Sequence, residues 1–375
     1  MPFADIATPA LLLDVAKVRH NLARLKARLA GHGVAFRPHM KTAKSAAVYA
    51  ELVGAGTPIT VSTLKEAEEY AAAGATDITY AVGITPDKLD RVGALRRNGC
   101  AVSVLLDSVA AAEAVAAWSR AHGDRLPAFI EIDADGHRAG LQKARAAEIV
   151  AVGRALEAGG AELRGVLTHA GESYAVPGEA AIAAMAETER AAVVAAAEAL
   201  RAAGLACPVV SVGSTPTALF AKDLTGVTEV RAGVFMFQDL VMAGLGVCPV
   251  EDIALSVLAS VIGHQTDKGW TLTDAGWMAM SRDRGTQALP VDQGYGLICD
   301  AGGAPLGDSV VIKASQEHGI VAARPGSGAR PLDLPLGARL RVLPNHACAT
   351  AAQFQGYVLV EGDRVVGRAA RFTGW

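Results

Sequence analysis

The sequence predicts a closed (β/α)8 barrel of the TIM type, an α/β fold, joined to a C-terminal all-β domain. Three observations point there. Between residues 34 and 235, eight short apolar segments each lead into a helical or loop segment, and strand–helix alternation implies parallel strands. After about residue 245 the alternation stops, and apolar runs follow one another across Gly, Pro and Asp turns. The chain has 375 residues, more than the ~250 typical of one barrel, which leaves room for a second domain. The expected boundaries are 13–243 for the barrel, with 1–12 and 244–375 forming the β-domain.

The elements follow in order. Val18, Leu22, Leu25 and Leu29 recur at helical spacing, so residues 15–30 are an amphipathic helix. The eight apolar segments are Val34–Pro38, Pro58–Ser62, Asp77–Val82, Ala101–Asp107, Ala128–Asp133, Leu163–His169, Val209–Gly213 and Glu229–Phe235. Helices are expected between them, over Thr63–Ala73, Val109–Ala121 and Glu179–Ala203. In the β-domain, Ala254–His264, Gly269–Asp274, Ser309–Ile312, Ala338–Leu343 and Tyr357–Val360 read as strands, completed by the extended start Thr8–Asp14. The Gly/Pro/Arg-rich stretch Pro325–Pro335 reads as an exposed loop.

Composition excludes several function classes. Hydrophobic residues make up 51% and charged residues 19%, so a large core is available and disorder is not expected. A net charge of −3 gives no reason to expect nucleic acid or an anionic membrane as partner. No apolar run reaches the ~20 residues of a membrane span, and the first residues lack a signal-peptide pattern. Five scattered cysteines argue for reduced thiols and a cytoplasmic enzyme.

Candidate chemistry starts at Lys41, in Arg37-Pro38-His39-Met40-Lys41-Thr42. It follows the first strand, at the barrel end where such enzymes place their chemistry. A half-buried lysine there can lose its proton and condense with pyridoxal phosphate, an electron sink for carbanions. Gly213-Ser214-Thr215 after the seventh strand and Arg231-Ala232-Gly233-Val234 on the eighth supply a phosphate cradle. His169 ends the sixth strand, where it can stack on a planar ring. Arg138, in the loop after the fifth strand, could meet the pyridine nitrogen, and arginine would leave that nitrogen unprotonated. In Pro344-Asn345-His346-Ala347-Cys348, His346 and Cys348 are expected on one side of a strand, gripping one divalent ion. Imidazole with thiolate favours zinc, with magnesium or manganese as alternatives. His318 and Asp274 are further ligand or supporting candidates.

These residues also carry a resemblance. Barrel plus β-domain, with the lysine after the first strand, resembles the fold type III pyridoxal-phosphate enzymes, the alanine racemase-like group. Pro-His-x-Lys-Thr, Asp-Gly-His-Arg, Thr-His-Ala-Gly, Gly-Ser-Thr-Pro-Thr, Glu-Val-Arg-Ala-Gly, Asp-Ala-Gly-Trp and Pro-Asn-His-Ala-Cys-Ala-Thr resemble its D-serine dehydratase and D-threonine aldolase branch. The resemblance implies that Lys41 holds the cofactor as a Schiff base and acts as α-proton base. It implies that Arg138 faces the pyridine nitrogen and His169 stacks. Tyr174, Gly213, Ser214, Thr215, Gly233 and Val234 would hold the cofactor, and His346 and Cys348 the metal. It also implies a homodimer. Two positions depart from the pattern. Ala43 stands where many relatives have histidine, and Phe235 where many have tyrosine.

The expected reaction is metal-assisted β-elimination from a D-3-hydroxy amino acid. It would convert 3-hydroxy-D-aspartate of threo configuration to oxaloacetate and ammonia, and D-serine to pyruvate. His-x-Cys is the dehydratase form of the metal segment, whereas the aldolases usually show His-x-Asp. The alternatives are a D-threonine-type aldolase and, from another class, a non-catalytic pyridoxal-phosphate carrier. Carriers of that kind lack the β-domain. His137, Arg282 and Arg284 are candidates for binding a second substrate carboxylate.

Overall fold

A computed structural model describes residues 3–375, so the first two residues of the expected 1–12 segment lie outside the described ones. The chain forms two compact units. One comprises the described residues up to Ala23, Thr42–Val48 and Val234–Thr373. The other comprises Arg24–Lys41, Tyr49–Gly233 and the last two residues.

The second unit is a parallel barrel. Its strands are β1 (Ala35–Pro38), β2 (Ile59–Val61), β3 (Asp77–Gly83), β4 (Ala101–Leu106), β5 (Pro127–Asp133), β6 (Glu162–Thr168), β7 (Val209–Val212) and β8 (Glu229–Ala232). Each falls within or beside one of the eight apolar segments. Neighbours pair in chain order, β8 pairs with β1 in parallel, and a bridge from His39 to Thr60 joins β1 to β2 and closes the ring. The strands are short because each needs only to cross the core before a helix returns the chain.

The middle of this barrel is polar. Arg37 on β1 donates through Nε to Glu229 on β8 at 2.6 Å and through Nη1 to Asp77 on β3 at 2.8 Å. Ser211 on β7 donates to Glu229 at 2.7 Å, and Arg231 on β8 donates to Ser211 at 2.9 Å. Removing one member of a buried charged network leaves the others unpaired, at about 3–5 kcal/mol. The network therefore pins the closing strands in register, which fixes the heights of Lys41 after β1 and Gly213 after β7.

The expected helix at 15–30 is Val15–Ala30. Val18, Leu22, Leu25 and Leu29 are all buried, and Asp14 Oδ1 accepts from the amides of Ala16 and Lys17 at its start.

The first unit is built on a nine-stranded sheet. Six strands (Trp270–Thr273, Gly319–Ala323, Pro305–Ala314, Leu297–Asp300, Arg339–Leu343 and Leu255–Gln265) close on themselves, because Trp270–Thr273 also pairs with Leu255–Gln265. Ala10–Asp14, Gly356–Glu361 and Arg364–Ala370 extend the sheet. All pairs are antiparallel except Ala10–Asp14 with Gly356–Glu361. Residues 325–335 carry no regular structure, as their composition predicts.

The segment expected to present His346 and Cys348 on a strand is a correction. The strand Arg339–Leu343 ends before Pro344, and His346 is the N-cap of a short helix, Ala347–Ala351. Proline cannot continue a ladder. The amides beyond it find other acceptors, Asp239 Oδ2 for Ala347 at 3.0 Å and His346 O for Thr350 at 3.1 Å.

Candidate active site

The barrel's strand ends surround a cavity with about 490 Å³ of space between its lining atoms, part of it open to solvent. Of the expected site residues, Lys41, Arg138, His169, Tyr174, Gly213, Ser214 and Gly233 line it. Thr215 stands behind the wall and donates its amide to Tyr174 Oη at 3.3 Å. Val234 is buried at the start of the turn Val234–Met236, in the other compact unit.

Local structure explains these placements. The His39 amide donates to Ala232 O at 2.7 Å and the Met40 amide to Thr60 O at 2.9 Å, so the chain leaves β1 held on both sides. Lys41 emerges one residue later, half-buried. Gly213 has no room for a side chain, since a Cβ there would lie 1.8 Å from the carbonyl oxygen of Arg231. Ser214 caps the helix Thr215–Phe220 through a reciprocal pair with Thr217.

The electrostatics are set by burial and, next, by crowded positive charge. Burial, with Lys41 and Arg138 nearby, pushes His169 down to about 3, the Gly213 carbonyl opposing only in part. Its Nδ1 lies 2.8 Å from Gly213 O, so the neutral ring carries its proton there. His39, which lines the same wall, is held well below the ordinary histidine value by burial, Lys41 and Arg231. A flat, neutral imidazole over a cavity with a lysine suits a planar ring ligand. Gly213, Ser214 and Gly233 line the same cavity as that imidazole and lysine. The residues present fit pyridoxal phosphate.

Three further residues belong to this region. Arg231 is fully buried on the wall, with Nη2 donating to Thr168 O. Glu131 lines the wall, its carboxyl raised by burial against the opposing pull of Arg138. Glu189 lies behind the wall on the helix Glu179–Ala202. A sequence signal for Glu189 exists. It interrupts the apolar stripe Ile182, Ala186, Val193, Leu200 at a core-facing position.

The β-domain holds the second cluster. His346 Nδ1 is 2.8 Å from Asp283 Oδ2, so Nε2 is the nitrogen that this carboxylate does not engage. Cys348 hydrogen-bonds His346, and its sulfur is 3.1 Å from Thr42 Oγ1. Burial lowers the His346 pKa, but the Asp283 hydrogen bond and Cys348 outweigh it and raise it to about 11. Asp283, Cys348 and Asp239 thus favour positive charge at this point. An imidazole nitrogen and a thiolate, with a carboxylate orienting the ring, fit a divalent cation. Among the described residues, no group of three or more His, Cys, Asp or Glu side chains could hold a metal. Two protein donors are therefore available here. Asp274 is engaged by Thr8 Oγ1 and the Ser260 amide, and His318 is exposed.

The dicarboxylate candidates are each occupied locally. His137 Nδ1 is 2.9 Å from Glu172 Oε1. The Arg282 guanidinium lies over the Trp277 ring at 4.1 Å, and Arg284 pairs with Asp292 at 2.8 Å. At the two positions that depart from the family pattern, Phe235 is fully buried, and Ala43 is buried with its carbonyl accepting from Tyr357 Oη at 2.6 Å. No helix among the described residues is long and apolar enough to cross a membrane.

Comparison with known proteins gives the lineage. The model for the alanine racemase N-terminal domain matches residues 13–240, and a serine dehydratase domain model matches residues 254–360. D-threo-3-hydroxyaspartate dehydratase of Delftia sp. (strain HT23) is 54% identical over 371 residues, 98% of each chain. Its solved structure superposes with a TM-score of 0.95 over all of both chains. A histidine-to-alanine mutant of that enzyme, and a cysteine-to-alanine mutant in the metal-free form, each superpose at 0.96. D-serine dehydratase of Dictyostelium discoideum is 27% identical over 96% of this chain and 95% of its own. 3-Hydroxy-D-aspartate aldolase of Paracoccus denitrificans (strain Pd 1222) is 28% identical over 97% of this chain and 91% of its own. The chain belongs to the alanine racemase N-terminal domain family of pyridoxal-phosphate enzymes, in the branch that holds the D-serine dehydratases and D-threonine aldolases.

Proposed function

We propose that this protein is a pyridoxal-phosphate- and metal-dependent ammonia-lyase. It converts D-threo-3-hydroxyaspartate to oxaloacetate and ammonia and, more slowly, D-serine to pyruvate. The observation that carries the reading is full-length identity of 54% to a dehydratase of that substrate, together with a His-x-Cys pair. The histidine and cysteine substituted in the relative's two mutant structures stand two positions apart, as His346 and Cys348 do. The aldolase relative, at 28%, is more distant.

In this reading the cofactor, when bound, supplies the electron sink for the α-carbon. Lys41 would anchor it covalently and would supply the amine that takes the α-proton. His169 offers a neutral flat face. Gly213, Ser214, Thr215 and Gly233, with Tyr174 and Val234, receive the phosphate end. Arg138 would face the ring nitrogen and keep its own proton, which would make the electron sink a weak one. His346 and Cys348 would hold a divalent metal, zinc being favoured by the thiolate, and that metal would supply a Lewis acid for the leaving hydroxyl. Overall the substrate would lose its α-hydrogen and β-hydroxyl as water. Water then replaces nitrogen to give the 2-oxo acid and ammonia. His137, Arg282 or Arg284 receives the second carboxylate of hydroxyaspartate. Five free cysteines support a cytoplasmic site of action, and the family resemblance supports a homodimer.

Product analysis tests this. With D-threo-3-hydroxyaspartate, ammonia and oxaloacetate should appear in equal amounts. Glycine and glyoxylate without ammonia would overturn the dehydratase assignment in favour of an aldolase.

A further inference from the structure

Glu189 is a buried carboxylate that the reaction above does not use. It is 2% exposed and lies in the apolar stripe of the helix Glu179–Ala202. Its oxygens reach three donors on two different strand-end loops. Oε1 accepts from the Ala170 amide at 3.0 Å and the Gly213 amide at 2.9 Å, and Oε2 accepts from Thr217 Oγ1 at 2.7 Å. Ala170 follows His169, and Gly213 and Ser214 line the cavity.

The bonds continue from those anchors into the wall. Thr217 Oγ1 accepts from the Ser214 amide at 3.2 Å, and Ser214 Oγ accepts from the Thr217 amide at 3.2 Å. Ser214 Oγ is 2.8 Å from Ser173 Oγ, which in turn donates to Ala170 O at 2.7 Å. Tyr174 Oη accepts from the Thr215 amide at 3.3 Å. The loops 169–174 and 213–217 are thus hung together from one carboxylate. Burial raises the Glu189 pKa, against the pull of its three donors and of Arg231. A carboxyl in this apolar position is costly unless its hydrogen bonds return the cost, and an apolar residue would serve the helix better. What Glu189 adds is three-way positioning of the loops beside the glycine wall.

We infer that Glu189 is a positioning residue for phosphate-ester recognition in this cavity, holding the Ala170 and Gly213–Thr217 loops at the spacing a phosphate needs. The inference rests on the cavity being the pyridoxal-phosphate site. It concerns only the phosphate end, which gives a readout separate from turnover.

The test is the ratio of dissociation constants for pyridoxal phosphate and for pyridoxal, which lacks the phosphate, measured by absorbance titration of the cofactor-free chain. Glu189→Ala should weaken pyridoxal phosphate by about tenfold or more, the scale of one or two lost hydrogen bonds. Pyridoxal should change by less than about threefold, because its ring contacts are untouched. Glu189→Gln keeps an oxygen for both amides, and Thr217 can reverse its hydroxyl, so it should restore the ratio. Thr217→Val removes one arm with little change of shape. It should raise the ratio, as Glu189→Ala does, and it answers the question if Glu189→Ala does not fold. A parent chain that prefers pyridoxal phosphate while the variants keep its ratio overturns this inference alone. Equal losses for both aldehydes would mean general damage and overturn it too. A parent chain that binds neither aldehyde overturns the cofactor reading together with this one.

Discussion

The two wall glycines should respond very differently to a single methyl group. At Gly213 a Cβ would meet Arg231 O at 1.8 Å and two more Arg231 backbone atoms within 2.8 Å. All three are main chain on the neighbouring strand, so no rotamer relieves the clash. β7 and β8 would have to part by about 1.2 Å to restore even a 3.0 Å contact. That parting strains the Val212–Val230 pairing, the Gly213 O contact to His169 at 2.8 Å and the Gly213 amide bond to Glu189 at 2.9 Å. Overpacking alone costs about 1–3 kcal/mol, and two weakened hydrogen bonds add about 1 kcal/mol each. Gly213→Ala should therefore destabilise the protein by about 3–5 kcal/mol and weaken cofactor binding. At Gly233 the nearest atoms would be His39 O at 3.3 Å, His39 Cβ at 3.4 Å and Lys41 Cε at 3.6 Å. A shift of a few tenths of an ångström suffices, so Gly233→Ala should cost less than about 1 kcal/mol. Its effect should fall instead on the rate at which Lys41 takes up pyridoxal phosphate. Urea unfolding at constant m, with cofactor titration, measures both. A Gly213→Ala variant within 1 kcal/mol of the parent, or a Gly233→Ala variant that is the less stable of the two, would refute the geometric argument.

Lys41→Ala should abolish turnover and the adduct trapped by borohydride in the presence of pyridoxal phosphate; mass spectrometry finding the trapped cofactor on another lysine would remove Lys41 from its role. His346→Ala and Cys348→Ala should each lose bound metal and most activity while keeping pyridoxal-phosphate absorbance, read by metal analysis beside the visible spectrum. Asp283→Asn should lower metal affinity about 10–100-fold, the usual scale for a group that orients a ligand histidine, and an unchanged affinity would mean that the 2.8 Å contact is incidental. Stability should fall as pH drops below about 6.5. His169 is held near 3 in the fold and His39 is also depressed, so the unfolded chain binds more protons there. For His169 alone the slope is up to about 1.4 kcal/mol per pH unit until about pH 3, and a flat urea midpoint between pH 6.5 and 5 would contradict the neutral assignment.

What was legible in the sequence follows from how strongly each segment was constrained. The barrel strands stood out because burial on both faces makes them continuous apolar runs between helices with clear periodicity. In the β-domain, Leu297–Asp300, Gly319–Ala323 and Arg364–Ala370 did not stand out. The first two have only four and five residues, and the third is a mostly exposed edge strand with arginines at 364 and 368. Lys41 was legible because the Pro38-His39 pair sets it at a strand end, where a plain surface lysine needs no such neighbours.

His346 and Cys348 show where residue type and local geometry separate. The chemistry was readable from imidazole and thiol two positions apart, but the backbone between them was not. Strand geometry would have aimed both side chains the same way by alternation. The chain instead turns into a helix after Pro344, and long-range partners decide that turn. Leu240 and Val241 donate their amides to Pro344 O and Asn345 O, Asp239 accepts from Ala347, and Asn345 donates to Asp283 O and Gly294 O. Each of those partners lies more than 50 residues away in sequence. Glu189 shows in the sequence only as a carboxylate inside an apolar stripe, and its role is not readable there because its donors come from two other loops. In this chain the groups that could do chemistry announce themselves by type. The groups that aim them are defined only once distant segments meet, and they take no consistent residue type that a linear reading could single out.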